Sequence, residues 1–169
     1  MSLLRFLGIG GSRDDEEETG TVHRIAGQLE RLPPDKARYL AAFAYVLARI
    51  ANADLQIDAS ETSEMERIVQ QLAELSPAEA ALVVQIAQSQ NRMLGGTENY
   101  VVTREFRKLS TPEQRVSLLQ CLFAVAAADG TIATGESREI ASIGEELGFT
   151  RPEINSLRVS YRDKLAEFQ

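Results

Sequence analysis

Asp54, Ile57, Glu61, Glu64, Ile68 and Leu72 return in the same order as Asp129, Ile132, Glu136, Glu139, Ile143 and Leu147, each 75 residues further on. Pro77 and Pro152 keep the same interval. An offset that survives a helix, a turn and the next helix marks a duplicated supersecondary unit, because unrelated segments drift in spacing. A chain built this way must fold as two similar blocks. Its 169 residues suit one domain, or two small halves sharing a core.

The core has to come from aliphatic residues. Hydrophobic residues make up 44% of the chain, but aromatics only 6%, with no Trp. Leu, Ile, Val and Ala favour close helix packing over aromatic-rich strands, so the fold class expected is all-α. Val22, Ile25, Leu29 and Leu32 stand at helical spacing until Pro33-Pro34 ends the pattern. Asp35 is then expected as an N-cap, followed by a stripe of Leu40, Phe43, Val46, Leu47 and Ile50 reaching toward Asp54. Ser110, with Glu113 three residues on, occupies the equivalent place ahead of Val116, Leu119, Leu122 and Phe123.

A second helix follows each aspartate. It carries Met65, Ile68, Val69 and Leu72, ending near Leu75, in one copy and Ile140, Ile143 and Leu147 in the other. Ser76-Pro77-Ala78-Glu79 and Thr150-Arg151-Pro152-Glu153 each open a third helix, the latter reaching about Glu167 after Gly148 closes its predecessor. Thr97 to Lys108 adds a helix with Tyr100, Val101, Phe106 and Leu109 inward. The expected architecture is seven to eight helices in two pseudo-twofold-related halves, about 20–94 and 95–169, packed as one domain over 20–169. Residues 1–19 are read as a disordered or loosely packed segment, because Gly10-Gly11-Ser12 leads into the self-repelling run Asp14-Asp15-Glu16-Glu17-Glu18. Leu3, Leu4, Phe6, Leu7 and Ile9 before it form either an ordinary terminus or a short interfacial anchor.

Several functions are disfavoured at once. A net charge of −7 repels a phosphate backbone, so no nucleic-acid partner is expected. No apolar run reaches the roughly 18 residues that cross a bilayer, so the protein is not expected to be transmembrane and the location expected is cytoplasmic. Cys121 is the single cysteine and, among Leu119, Leu122 and Phe123, reads as an apolar filler. His23 is the single histidine, which leaves no multi-histidine metal site and no base for a hydrolytic triad. Gly8-Ile-Gly10-Gly11 lacks the lysine and the strand of a phosphate loop. No catalytic residue and no organic cofactor is expected.

The repeated element D-x-x-I-x-x-x-E admits two readings. As a structural clasp, the aspartate accepts amides of the turn, the isoleucine plugs the core, and the glutamate enters the next helix where the macrodipole favours it. As a cation site, Asp54, Asp58 and Glu61, with Asp129, Glu136 and Glu139, would gather oxygen ligands for calcium or magnesium. An EF-hand is excluded by spacing, because Ala59 and Thr134 fall where its glycine belongs and Met65 and Ile140 where its last glutamate belongs.

The stretches Ala48-Arg-Ile-Ala-Asn-Ala-Asp54 through Glu61 and Leu122-Phe-Ala-Val-Ala-Ala-Ala-Asp129-Gly through Glu136, each running into an amphipathic helix, resemble the TerB-like tellurite-resistance family. The resemblance covers about Val22 to Tyr161, and Phe106 through Arg158 looks most like an uncharacterised bacterial branch. It implies an all-helical, cytoplasmic bacterial protein serving stress-response or membrane-associated protein partners, since related domains at the N-terminus of DjlA-type cochaperones are interaction modules. It also implies metal chelation through acids that carry over to Asp54, Glu61, Asp129 and Glu136. Leu55 departs from the Asp-Gly pattern, which leaves Asp129 to Glu136 as the better cation candidate.

Overall fold

A computed structural model describes residues 27–51, 59–89, 96–128 and 132–161. After a short helical stretch at 27–30 come α1 (Pro34–Ala51), α2 (Ala59–Leu72), α3 (Pro77–Ser89), α4 (Gly96–Leu109), α5 (Pro112–Ala127), α6 (Thr134–Glu146) and α7 (Arg151–Val159). The fold is all-α, as the aliphatic composition implies.

Helix starts follow from local chemistry. The Ser76 hydroxyl accepts from the Glu79 amide at 3.2 Å while the Ser76 amide donates to the Glu79 carboxylate at 3.0 Å. Thr150 and Glu153 close the same reciprocal box before α7. Two caps differ from the sequence expectation, and proline is the reason. α1 begins at Pro34, which puts Asp35 inside the first turn. Pro112 takes the first position of α5 and makes Thr111 the cap, with Gln114 completing the box, because proline has no amide to leave unpaired there. Ser110, the expected cap, instead donates to the Phe106 carbonyl at 2.6 Å and so closes α4.

Helix ends differ between the copies. Gly148, at φ +94°, ends α6: its amide donates to the Glu145 carbonyl and the Phe149 amide to the Gly144 carbonyl. This left-handed cap satisfies two carbonyls that the helix leaves over. The first copy lacks that glycine, and α2 ends at Leu72, three residues before the expected stop, with Glu74 at φ 55°. A left-handed non-glycine residue costs about 1 kcal/mol. α7 also stops short of the expected Glu167, at Val159. There the chain turns, and the Tyr161 ring stacks on Phe123 at 5.6 Å and 15°.

α1 is the hub. It packs on α3, α4, α5 and α6, while α5 packs on α1, α2, α6 and α7. The second helix of each copy thus touches the first helix of the other: α6 on α1, and α2 on α5. Ala41, Ala42 and Ala44 are buried along α1, and their small side chains let neighbouring axes come close. Phe43 and Phe106 meet edge to face at 6.0 Å. The core is one cluster containing Leu40, Leu47, Val69, Val83, Leu118, Leu122, Ile140 and Ile143. Val102 and Thr103, buried on α4, were missed as inward positions. Among the described residues no helix is long and apolar enough to cross a membrane.

Candidate functional site

Of the residues singled out at the repeated turns, Asp54, Asp58 and Asp129 lie outside the described residues, as do His23 and the N-terminal apolar and acidic segments. Glu61 falls in the first turns of α2, and its side chain is likewise outside the description. Glu136 stands in the first turn of α6, half-buried, where the helix dipole favours a carboxylate. Ile132 is fully buried, the plug that the clasp requires. Ser137, next to Glu136, is buried, and its hydroxyl has no hydrogen-bond partner among the described residues. Its first-copy counterpart, Thr62, accepts from Gln88 Nε2 at 2.6 Å.

Glu139 is held by an arginine. Its Oε1 accepts from Arg49 Nε at 2.9 Å and Nη2 at 2.6 Å, while Arg49 Nη1 donates to Glu146 Oε2 at 2.6 Å and to Thr103 Oγ1 at 2.9 Å. The guanidinium is only 8% exposed. One side chain from α1 is therefore fixed by two acids of α6 and a buried hydroxyl of α4, using the fixed fork that distinguishes Arg from Lys. Among the described residues no three His, Cys, Asp or Glu side chains converge as a metal site.

Cys121 is fully buried, and burial pushes its thiol up to about 12, which keeps it protonated and inert near neutrality. Its position is that of a core filler, as the sequence suggested.

The sequence reading missed a second feature. Arg104, Arg107 and Lys108 from α4, Arg115 from α5, and Glu145 and Glu146 from α6 line an open groove of about 660 Å³, within the roughly 300–1,000 Å³ of ligand clefts. Both carboxylates are engaged by cations outside the groove: Glu146 by Arg49, and Glu145 by Arg151 at 3.2 Å. Arg115 donates to the Ser110 hydroxyl at 3.2 Å and carbonyl at 2.9 Å, both uncharged. Arg107 lies over Gly148, where a β-carbon would come within 2.8 Å of its guanidinium carbon. Arg107 and Lys108 have no ion-pair partner among the described residues. In a chain of net charge −7, this is a local excess of positive charge. The one available signal was the density of Arg and Lys between 104 and 115.

The family model described as "Tellurite resistance protein TerB" matches residues 39–159, and the chain belongs to that family. No curated protein and no solved structure matches it.

Proposed function

We propose that this TerB-family domain is a non-enzymatic interaction module whose groove between α4, α5 and α6 receives an acidic segment of a partner protein. The observation that carries the reading is the set of three cations, Arg107, Lys108 and Arg115, whose charge no groove carboxylate offsets. Arg107 and Lys108 suit the C-terminal dipole of α4, but Arg115 in the opening turns of α5 opposes the local dipole. Its bonds to the uncharged Ser110 hydroxyl and carbonyl hold Arg115 there and leave its charge unneutralised at the groove. The family description points to partners in tellurite resistance, and the family's interaction modules to membrane-associated stress proteins.

The test is NMR titration with a glutamate-rich decapeptide at millimolar concentration. Amides around Arg107, Lys108 and Arg115 should shift, and Arg107→Gln, Lys108→Gln should remove the shifts. Shifts that persist in the double variant refute the reading.

A second reading adds regulation by calcium or magnesium at Asp129 and Glu136. It draws on the buried, unpartnered Ser137 hydroxyl beside Glu136, since orphaned buried oxygens call for an explanation. Calcium that shifts no resonance from Ile132 to Ser137 would remove it.

A further inference from the structure

The groove accepts an acidic segment, and this chain carries one. Asp14-Asp15-Glu16-Glu17-Glu18 is five consecutive carboxylates, and the described chain begins nine positions later at Gly27. We infer that this run docks in cis against Arg107, Lys108 and Arg115, so that the module shields its own groove until a stronger acidic partner displaces the run. The inference rests on the groove reading above.

Three observations support it. The first is charge: five consecutive carboxylates are complementary to cations that have no carboxylate partner among the described residues, and Arg side chains engage carboxylates through paired hydrogen bonds. The second is placement. Tyr39 of α1 contacts Phe106 with ring centroids 5.5 Å apart, and Arg107 and Lys108 follow Phe106 directly on α4. The N-terminal part of α1 therefore runs beside the stretch of α4 that lines the groove. The third is reach. Nine residues extend to about 30 Å, comparable to the length of a 20-residue helix. Short tethers also supply effective concentrations on the order of millimolar, enough for a modest contact to hold.

The probe is a fluorescein-labelled peptide with the sequence of residues 13–19, titrated by anisotropy into full-length chains at fixed ionic strength. Intact chain is compared with a chain neutralised by Asp15→Asn, Glu16→Gln, Glu17→Gln and Glu18→Gln. A control neutralised outside the groove, at Glu30, Asp35, Glu66 and Glu74, carries the same change in net charge. The peptide should bind the segment-neutralised chain at least about five-fold tighter than either the intact or the control chain. Adding Arg107→Gln, Lys108→Gln to the neutralised chain should abolish that gain, with helicity by circular dichroism unchanged. Equal affinity for the segment-neutralised and control chains, lost in the groove variant, overturns docking in cis and leaves the groove reading intact. No binding to the neutralised chain, or binding indifferent to the groove variant, overturns both.

Discussion

Arg49→Ala should be the most damaging polar substitution among the described residues, and the structure allows its cost to be worked out. Removing one member of a buried ion pair costs about 3–5 kcal/mol, because the partner charge is left desolvated. Both acids regain some water here. Glu139 is 39% exposed, so its share falls to the 1 kcal/mol or less of a surface pair. Glu146 is 17% exposed and recovers less, and buried Thr103 loses a donor to its hydroxyl. The net loss expected is about 2–4 kcal/mol, or roughly 4–16 °C in melting temperature at 2–4 °C per kcal/mol for a chain of this size. Urea unfolding should show the midpoint falling with an unchanged slope. Arg67→Ala is the internal control: Arg67 binds Glu64 and Gln71 on its own helix and is 54% exposed, so its loss should cost under about 0.5 kcal/mol. Glu146→Gln should cost clearly less in the Arg49→Ala background than in the natural chain. Equal losses for Arg49→Ala and Arg67→Ala would refute the clamp.

Glu79 predicts a pH dependence. Desolvation alone would raise its carboxyl, but the Lys36 ammonium and the Ser76 amide and hydroxyl outweigh it and hold the group below its usual 4.5. Lys36 Nζ lies 2.6 Å away, an ion contact too bent for a hydrogen bond by geometry. A lowered folded value means stability that is present above about pH 4.5 and lost as pH falls through the folded value. Glu79→Gln should therefore flatten the acid limb of stability measured by denaturant titration, and an unchanged limb counts against the cap. Gly148→Ala should cost about 1–2 kcal/mol for the left-handed backbone and also weaken acidic-peptide binding, since the new methyl would displace Arg107. Loss of stability with peptide affinity intact would separate Arg107 from the groove's function. Cys121 should react with a disulfide-exchange reagent only after denaturation; labelling of the folded chain would contradict its burial.

What was legible in the sequence tracks how local its cause is. The Ser76 and Thr150 caps, the Gly148 stop and the Ile132 plug depend on residues within a few positions, and they stand where the pattern put them. α1 and α5 start at Pro34 and Pro112 and not after the expected caps Asp35 and Ser110, because proline outcompetes a polar neighbour for the first helical position. The Arg49 clamp had no sequence signature, since Glu139 and Glu146 lie 90 and 97 residues away. Glu139 was read as a possible ligand only because it shares the repeat. The groove was hidden by averaging: a net charge of −7 describes the whole chain and conceals four cations gathered from two helices.

The duplication makes the clamp intelligible. Glu139 and Glu146 of α6 occupy the repeat positions of Glu64 and Gln71 of α2, and both pairs hold a guanidinium. In α2 the guanidinium is Arg67, on the same helix and exposed; in α6, Ser142 stands at that position, and the guanidinium is Arg49 from the other half. One helical spacing, seven residues between two acceptors, thus serves a local surface pair in one copy and a buried link between halves in the other. With serine at the local position, the α6 acids are held instead by the arginine of α1, where the second copy has Ala124. Introducing Ser142→Arg should therefore compete for Glu139 and Glu146, lower stability, and reduce the further effect of Arg49→Ala. Additive effects of the two substitutions would show that α6 does not exchange one guanidinium for the other.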